Sequence, residues 1–391
     1  MTGRPEEPGP AGAPLRPGGS GRRPALDGLR GVAVLLVVSY HFRIPGPGLR
    51  RLQGGWCGVD LFFALSGFLI TGLLLDERQS QGRVDLAGFY RRRWRRLGPA
   101  LLAMVAVGEV VATFIRWPGR HPYGLPARLT DLTSLASLGI NWRIASGATV
   151  GPLFGAMWSL AVEEQFYLVW PLVIIAAYRI RGHARARTVL TVGAAVAATM
   201  SALECAALYP GHPDQVRIYF ATDTRAQGLL IGALAALVWR SGRRLSREAS
   251  AVLATAGVAA IAGIAIGVDD TAPFRVTGAF TVLAASAASV MLHTMWEPGS
   301  LLARALGWRP LRYFGSRSYA LYLWHAPVAA FLYGTGPTGS PRFGWGGYIG
   351  GLLLSLLLAE ASWHLVEKRT HRSGRPARPA GSRRAVAPVP S

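Results

Sequence analysis

The sequence predicts an all-α integral membrane protein, a polytopic bundle of about ten transmembrane helices with both termini in the cytoplasm. Three observations lead to this fold class: long apolar runs recur along the 391 residues, only 16% of the residues are charged, and the arginines are unevenly divided between the loops. Soluble domains usually have about 25% charged residues. The apolar runs exclude a disordered chain and make a water-soluble globule a poor description.

Ten segments have the length and apolar character needed to cross a hydrocarbon core about 30 Å thick. They lie near residues 25–44, 56–76, 97–116, 156–179, 187–209, 222–240, 248–267, 273–294, 313–333 and 346–366. No internal repeat of fixed period is visible among them. The sequence therefore predicts one membrane domain over residues 24–368, flanked by disordered basic tails at 1–23 and 369–391.

The distribution of basic residues predicts the orientation of the helices, because arginine and lysine in short loops stay on the cytoplasmic side. With the N-terminus inside, the inner segments hold 29 basic residues and the outer loops hold nine. The net charge of +22 is thus explained by topology, and we expect no nucleic-acid partner. Cys57 and Cys205 are too few for a disulfide framework and match no metal or redox motif.

Two polar residues in the first predicted span are candidates for function, since buried polar groups in a membrane are costly. Arg30 and His41 are eleven positions apart, which places them within about 20° on one helical stripe and ~16 Å apart along it. They could line a single tunnel that runs from the cytoplasmic side. The alternative is that His41 bonds a neighbouring carbonyl while Arg30 extends to lipid phosphate.

The fourth predicted span begins with MWSLAVEEQFYLVWP, in which Ser159 and Glu163 lie on one helical face. Glu163 could turn inward and pair with His41, which would hold the imidazole tautomer and stabilise the imidazolium. Alternatively, the carboxylate is solvated at the outer interface, where the nearby tryptophans Trp158 and Trp170 act as anchors. The sequence leaves both possibilities open.

An arginine cluster, FYRRRWRRLGP, separates the second and third predicted spans. Arginine forks bind phosphate well, but the cluster could equally be a topology determinant that binds anionic lipid. Further polar residues lie in later spans. Asp223 and Arg225 are two positions apart and should meet different neighbours, whereas Tyr322 and His325 share a helical face. We take these four residues, with Ser159, as substrate-binding candidates.

Taken together, six strings in this order resemble the membrane-bound acyltransferase-3 family, which includes O-antigen acetylases and macrolide O-acyltransferases. They are RPALDGLRGVAVLLVVSYHF, GVDLFFALSGFLIT, FYRRRWRRLGP, MWSLAVEEQFYLVWPL, TDTRAQGLLIGA and GSRSYALYLWHAPV, between about residues 23 and 368. The resemblance implies a ten-helix enzyme that moves an acyl group, commonly acetyl, from cytoplasmic acyl-CoA to a hydroxyl.

The resemblance also implies roles for particular residues. His41 corresponds to the proposed catalytic histidine, and Arg30 and the Arg-x-Arg pattern, matched by Arg93 and Arg95, correspond to positions associated with acyl-CoA binding or activity. Glu367 resembles the acidic residue of a Glu-Lys-Pro motif, but here the sequence reads Glu-Lys-Arg. Some relatives carry an additional hydrolase-like domain, which we do not expect in this sequence.

Several features of the chemistry stay open at this point. His41 could be the general base for the acceptor hydroxyl, or it could carry the acyl group itself. Arg30, Tyr322 and Ser159 are candidates for polarising the thioester carbonyl, and no metal cofactor is expected. The acceptor is either a glycosylated natural product such as a macrolide, which we favour slightly, or a cell-envelope glycan. We expect the enzyme to reside in the bacterial plasma membrane.

The competing functional class is a polytopic transporter that moves protons or an anion through Arg30, His41 and Glu163 without making bonds. Such a protein should show paired broken helices or inverted repeats, which the sequence does not display. A third possibility is an assembly subunit whose buried polar groups only hold helices together.

Overall fold

The computed structural model describes residues 23–42, 54–114, 124–212, 215–333 and 344–368. These ranges are almost entirely helical and contain no β-strand, which confirms the predicted all-α class. The predicted tails at 1–23 and 369–391 lie outside them, apart from Arg23. The helices are α1 (Pro24–Phe42), α2 (Cys57–Gln81), α3 (Leu86–Phe114), α4 (Leu125–Ala136), α5 (Ile140–Ala145), α6 (Met157–Leu208), α7 (Val216–Phe220), α8 (Thr222–Arg240), α9 (Arg247–Gly267), α10 (Phe280–Trp296), α11 (Leu301–Leu306), α12 (Arg309–Ser316), α13 (Ser318–Tyr333) and α14 (Gly344–Ser362).

Seven helical segments within the described ranges are long and apolar enough to cross a membrane. Each of them coincides with one predicted span. They are Pro24–Phe42, Gly54–Gln81, Met157–Gly182, Arg185–Gly211, Arg247–Gly267, Arg275–Trp296 and Trp345–Glu367. The other three predicted spans correspond to the helices α3, α8 and α13, which pack in the same bundle. The chain is therefore a multi-helix membrane protein, and the total of ten spans stays a prediction.

Helix α3 begins earlier than the sequence predicts. We placed the start of the third span near residue 97, after the arginine cluster, but the helix already begins at Leu86 and includes all of those arginines. Most residues of the cluster are compatible with a helix, and Pro99 is accommodated inside it. As a result, the arginines point in different directions around α3, and only some of them can face the bundle.

The element α6 covers both the fourth and the fifth predicted spans. Its helical path is broken at Gly182, where φ is 66° and ψ is 178°. A side chain would be strained at this backbone conformation, so glycine suits the sharp bend. The break lies in the segment between the two predicted spans, as the sequence analysis expects. The two halves, Met157–Gly182 and Arg185–Gly211, are therefore separate candidate spans.

The ninth predicted span, 313–333, is shorter in the structure. Residues Arg309–Ser316 form the separate short helix α12, and α13 begins at Ser318. Helix α12 packs closely against α1, whose glycines allow the backbones to approach. The helix α13 thus enters the bundle with its polar residues Tyr322 and His325 only one to two turns from its start.

The centre of the bundle is the contact between α2 and α8, which packs more tightly than any other pair of elements. A Cβ atom at Gly67 of α2 would lie only 1.9 Å from the carbonyl oxygen of Leu229 in α8. Small residues at such contacts are typical of membrane helices, where close packing replaces the hydrophobic effect as the main attraction. Cys57 and Cys205 are both buried and free.

Candidate active site

A cleft opens between α1, α2, α3, α6 and α13, and the empty space in it, including the open solvent at its mouth, is about 600 Å³. We call it the arginine cleft, because three arginines from two different helices line it together with hydroxyl groups and one carboxylate. Its polar lining residues are Arg30, Ser66, Arg93, Arg96, Ser159, Glu163, Tyr167, Ser318, Tyr319 and Tyr322. Apolar residues of α2 and α6 complete the wall. The cleft therefore combines cationic groups and hydroxyl groups inside a membrane bundle.

The arginines of the cleft are Arg30 of α1 and the pair Arg93 and Arg96 of α3. The guanidinium of Arg93 lies 4.1 Å from the centroid of the Tyr167 ring. The Nε atoms of Arg30 and Arg93 are buried and have no hydrogen-bond partner within the described part of the chain. Buried donors of this kind favour an anionic ligand that would accept their hydrogen bonds.

Arg95, in contrast, does not belong to the lining of the cleft. Arg96 does line it, although both side chains are exposed. The physical reason is helical geometry: residues three apart share a face, whereas residues two apart point in nearly opposite directions. The Arg-x-Arg pattern therefore divides in the structure, with Arg93 inside and Arg95 outside. Arg96, three residues after Arg93, is the second arginine of this cluster in the cleft lining. Helical spacing would have indicated Arg96 if the cluster had been taken as part of a helix.

Glu163 turns into the cleft rather than towards the outer interface. Its carboxylate accepts hydrogen bonds from the hydroxyls of Ser66, at 3.0 Å, and Tyr167, at 2.8 Å. Among the described residues no hydrogen bond joins Glu163 to His41, the pairing that one interpretation of the sequence expected. The two partners come from α2 and from the next turn of α6. Tyr167 was missed at the sequence level, although its position four residues after Glu163 is a usable signal.

The hydroxyl oxygens of Ser159 and Tyr322, which also line the cleft, lie 2.5 Å apart. Both side chains are buried, and the Tyr322 hydroxyl also donates to the carbonyl oxygen of Ala156 at 3.0 Å. These contacts join the start of α6 to α13. The structure thus brings together two of the predicted substrate-binding residues as a pair of adjacent hydroxyls.

His41 lies near the end of α1 and is partly buried. Its Nδ1 is 2.9 Å from the Val37 carbonyl oxygen and 3.3 Å from the Nε2 of His325. The two imidazole rings meet edge to face, with centroids 4.8 Å apart. The sequence predicts that Tyr322 and His325 share a face, and their rings are indeed 5.3 Å apart. His41 and His325 therefore form a buried pair next to Tyr322.

The expectation that Arg30 and His41 line one tunnel stays a prediction. Arg30 is the α1 residue in the lining of the arginine cleft, and His41 is not among the lining residues. Although the two side chains share a stripe, ~16 Å of helix separates them. A series of side-chain contacts connects the cleft to His41 instead: Tyr322 lines the cleft and touches His325, which touches His41.

Asp223 and Arg225 have separate partners, as their spacing predicts. Asp223 accepts two hydrogen bonds from Arg217, at 2.9 and 2.6 Å, and this carboxylate raises the pKa of Arg217. Arg225 forms an ion pair with Asp60 at 2.8 Å. Neither Asp223 nor Arg225 lines the arginine cleft. Glu367 is buried near the end of the α14 segment, with its carboxylate 3.5 Å from the Ser362 hydroxyl.

No cluster of three or more histidine, cysteine or carboxylate side chains that could hold a metal occurs among the residues that the structure describes. The arginine cleft offers arginine, carboxylate and hydroxyl groups, and the histidine pair beside Tyr322 offers imidazole groups. These groups can bind an anion, donate hydrogen bonds to an oxygen, and accept a proton.

Comparisons with known proteins place these features in a family. The sequence model described as an acyltransferase domain, acyltransferase-3, matches residues 23–360. A provisionally named peptidoglycan O-acetyltransferase of Bacillus subtilis, YrhL, is 34% identical over 365 residues, which cover 90% of this chain and 55% of that protein. The peptidoglycan O-acetyltransferase OatA of Listeria monocytogenes is 31% identical over 364 residues, covering 90% of this chain and 56% of OatA.

The O-acetyltransferase OatA of Staphylococcus aureus is also 31% identical over 364 residues, which cover 90% of this chain and 57% of that protein. The chain thus spans a little more than half the length of these curated relatives. No solved structure matches the chain.

Proposed function

This chain belongs to the acyltransferase-3 family of membrane acyltransferases, and from that premise we propose that it is an O-acetyltransferase that uses acyl-CoA, most simply acetyl-CoA, to acetylate a hydroxyl of a cell-envelope glycan. The observation that carries the proposal is the arginine cleft, with its unpartnered guanidinium Nε atoms inside a membrane enzyme of this family. We place the enzyme in the plasma membrane, with the arginines reached from the cytoplasmic side.

The arginine cleft suits the donor because coenzyme A carries several phosphate groups. Arg30, Arg93 and Arg96 offer planar forks of N–H donors, which bind phosphate oxygens bidentately. The lining holds three guanidinium groups and one carboxylate, Glu163, which accepts hydrogen bonds from two neutral hydroxyls. The lining therefore has an excess of positive groups that an anionic donor would offset.

The reaction that we propose is acyl transfer from a thioester to an alcohol. The acceptor oxygen forms a bond to the acyl carbon, the carbon–sulfur bond breaks, and coenzyme A leaves as its thiol after taking up a proton. His41 acts either as the base that removes the hydroxyl proton or as the group that carries the acyl unit between donor and acceptor. Ser159, Tyr322 and Arg30 are the groups that could donate to the carbonyl oxygen as it gains charge.

Because Tyr322 separates the cleft lining from the histidine pair, we place the acceptor hydroxyl on the His41 side of Tyr322. The acyl group bound in the arginine cleft then has to pass Tyr322 to reach His41. The named relatives favour a glycan as the acceptor over the diffusible macrolide that the sequence alone slightly favoured, since two of them bear names that refer to peptidoglycan.

The proposal can be tested with purified protein in lipid nanodiscs, supplied with acetyl-CoA labelled in the acetyl group. Peptidoglycan fragments and a glycosylated macrolide are offered as separate acceptors, and mass spectrometry identifies the product. We expect an acetyl ester on the glycan fragments and release of stoichiometric coenzyme A. Transfer only to the macrolide would show that the acceptor is a glycosylated natural product and not a cell-envelope glycan. Donor binding without ester formation on any hydroxyl acceptor, together with ion flux in vesicles, would support the transporter instead.

Replacing Arg93 and Arg96 together by alanine is expected to weaken acetyl-CoA binding by roughly 10- to 100-fold for each arginine, because a charged hydrogen bond contributes about 1.5–3 kcal/mol. Equilibrium binding of labelled acetyl-CoA to purified protein measures this loss. Arg91→Ala is the matched control, since Arg91 belongs to the same cluster but does not line the cleft. If the double variant binds acetyl-CoA with unchanged affinity, the arginine cluster determines topology and binds anionic lipid and does not bind the donor.

A further inference from the structure

The buried histidine of α13 has a hydrogen-bond environment that fixes its tautomer. The side chain of His325 is fully buried, and its Nδ1 lies 2.7 Å from the Tyr322 carbonyl oxygen and 3.2 Å from that of Leu321. Carbonyl oxygens only accept hydrogen bonds, so the proton of a neutral His325 belongs on Nδ1. Its Nε2 then carries a lone pair, and this lone pair faces His41.

The same reasoning applies to His41. Its Nδ1 lies within hydrogen-bond distance of two acceptors, the Val37 carbonyl oxygen at 2.9 Å and the Nε2 of His325 at 3.3 Å. A proton on Nδ1 satisfies both, whereas a proton on Nε2 would leave lone pairs facing one another. The network therefore assigns the Nδ1–H tautomer to His41, which leaves its Nε2 as the free basic nitrogen.

We propose that His325 is a positioning residue for the acyl-transfer reaction: it accepts the Nδ1–H bond of His41 and so holds the His41 Nε2 lone pair ready for the substrate. The inference rests on the proposed function, in which the imidazole of His41 meets the acceptor or the acyl group. It deepens that function by naming the group that orients the imidazole. The sequence analysis took His325 only as a substrate-binding candidate.

A neutral imidazole suits this position better than a carboxylate would. When His41 takes up a proton at Nε2, its Nδ1–H bond to His325 becomes charge-assisted and strengthens, as a triad carboxylate strengthens its bond to imidazolium. At rest, however, a neutral partner avoids the cost of burying a second charge in the membrane. Glu163, the carboxylate that the sequence offered as a partner for His41, accepts its hydrogen bonds from Ser66 and Tyr167.

The test replaces the acceptor nitrogen while keeping the volume of the side chain. His325→Phe removes the acceptor, and His325→Gln retains an acceptor oxygen at nearly the same distance from the backbone. We expect His325→Phe to lower kcat for acetyl transfer by about 10- to 100-fold, part of the ~10² to 10⁴ that a positioned base contributes, with KM for acetyl-CoA unchanged. His325→Gln should recover most of kcat. His293→Gln, at another buried histidine that contacts Ser250 and does not line the cleft, is the matched control.

A spectroscopic measurement separates positioning from mere packing. Nitrogen-15 NMR of histidine-labelled protein reports the tautomer of His41, whose signals are assigned by their loss in His41→Ala. We expect a protonated Nδ1 and an unprotonated Nε2 in the native protein and in His325→Gln, and a larger share of the other tautomer in His325→Phe.

The possible failures are distinguishable. A native His41 protonated at Nε2, or a His325→Phe variant with full kcat, would overturn the positioning role while His41→Ala still abolishes transfer. Retained turnover in His41→Ala would overturn the proposed role of His41, and the positioning role with it. A folded His325→Phe variant in which only KM changes would assign His325 to substrate binding and also overturn the inference.

Discussion

His41→Ala abolishes acetyl transfer while the protein still inserts, folds and binds acetyl-CoA: this is the expected result if the histidine pair is the reactive centre. Loss of a general base costs about 10² to 10⁴ in rate, and loss of an acyl carrier removes the two-step route altogether. Binding should survive, because the arginines that we assign to the donor lie in a cleft whose lining does not include His41.

The measurement is the turnover of labelled acetyl-CoA by purified protein, normalised to the amount of folded protein found by gel filtration and thermal unfolding. His364→Ala is the matched control, because this histidine is half-exposed on the last helical segment, does not line the cleft, and lies 3.3 Å from the carboxylate of Glu360 one turn earlier. Full turnover in His41→Ala would exclude His41 from the chemistry.

The same pair of proteins distinguishes the two roles left open for His41. If the imidazole carries the acyl group, native protein incubated with labelled acetyl-CoA without acceptor should retain label, and His41→Ala should not. If the imidazole is a base, neither protein should be labelled, and coenzyme A should be released only when an acceptor is present. In both cases the reacting atom is Nε2, since Nδ1 is engaged by Val37 and His325.

Much of this architecture follows from the sequence because membrane helices are set by local properties. Long apolar runs specify helices, since every backbone polar group in lipid must be satisfied within its own segment. Helical periodicity also predicts which residues share a face, and it places Tyr322 beside His325 correctly. The same periodicity, applied to the arginine cluster, would have selected Arg93 and Arg96. It was not applied there because the cluster was placed between two spans, although its residues belong to α3.

Contacts between helices are the part that periodicity cannot supply. It indicates that a residue faces the bundle, but the identity of the neighbour depends on how helices distant in sequence are arranged. His41 and His325 are 284 positions apart, and Asp60 and Arg225 are 165 positions apart. For this reason the sequence offered Glu163 as a partner for His41, whereas the structure supplies a second histidine.

Arg225→Leu is expected to have the largest effect on stability. Arg225 is 1% exposed and pairs with Asp60, also 1% exposed, and its guanidinium lies 3.5 Å from the centroid of the Phe280 ring. Removing the arginine leaves a carboxylate buried without its counter-ion in the membrane bundle. Breaking one side of a buried ion pair typically costs about 3–5 kcal/mol. We therefore expect a strongly lowered unfolding temperature and a low yield of folded protein.

The double variant Asp60→Asn with Arg225→Leu separates the effect of the lone charge from the loss of packing. Because it removes both charges, it should be more stable than Arg225→Leu alone, although the guanidinium's contacts with the surrounding aromatic rings are still lost. Arg247→Ala is the control: Arg247 is 74% exposed and its contact with Glu297 is 3.9 Å long, so its loss should change stability by less than about 0.5 kcal/mol.

Thermal unfolding in detergent, followed by size-exclusion chromatography, measures all three proteins under the same conditions. A fully stable Arg225→Leu protein that binds acetyl-CoA but has lost its affinity for the glycan acceptor would contradict the structural role and support the substrate-binding role predicted from the sequence. Destabilisation that the double variant partly reverses would instead identify the pair as the electrostatic contact that joins α2 to α8, next to the close approach at Gly67. The charge on Arg225 would then stabilise the bundle around the arginine cleft without meeting the substrate.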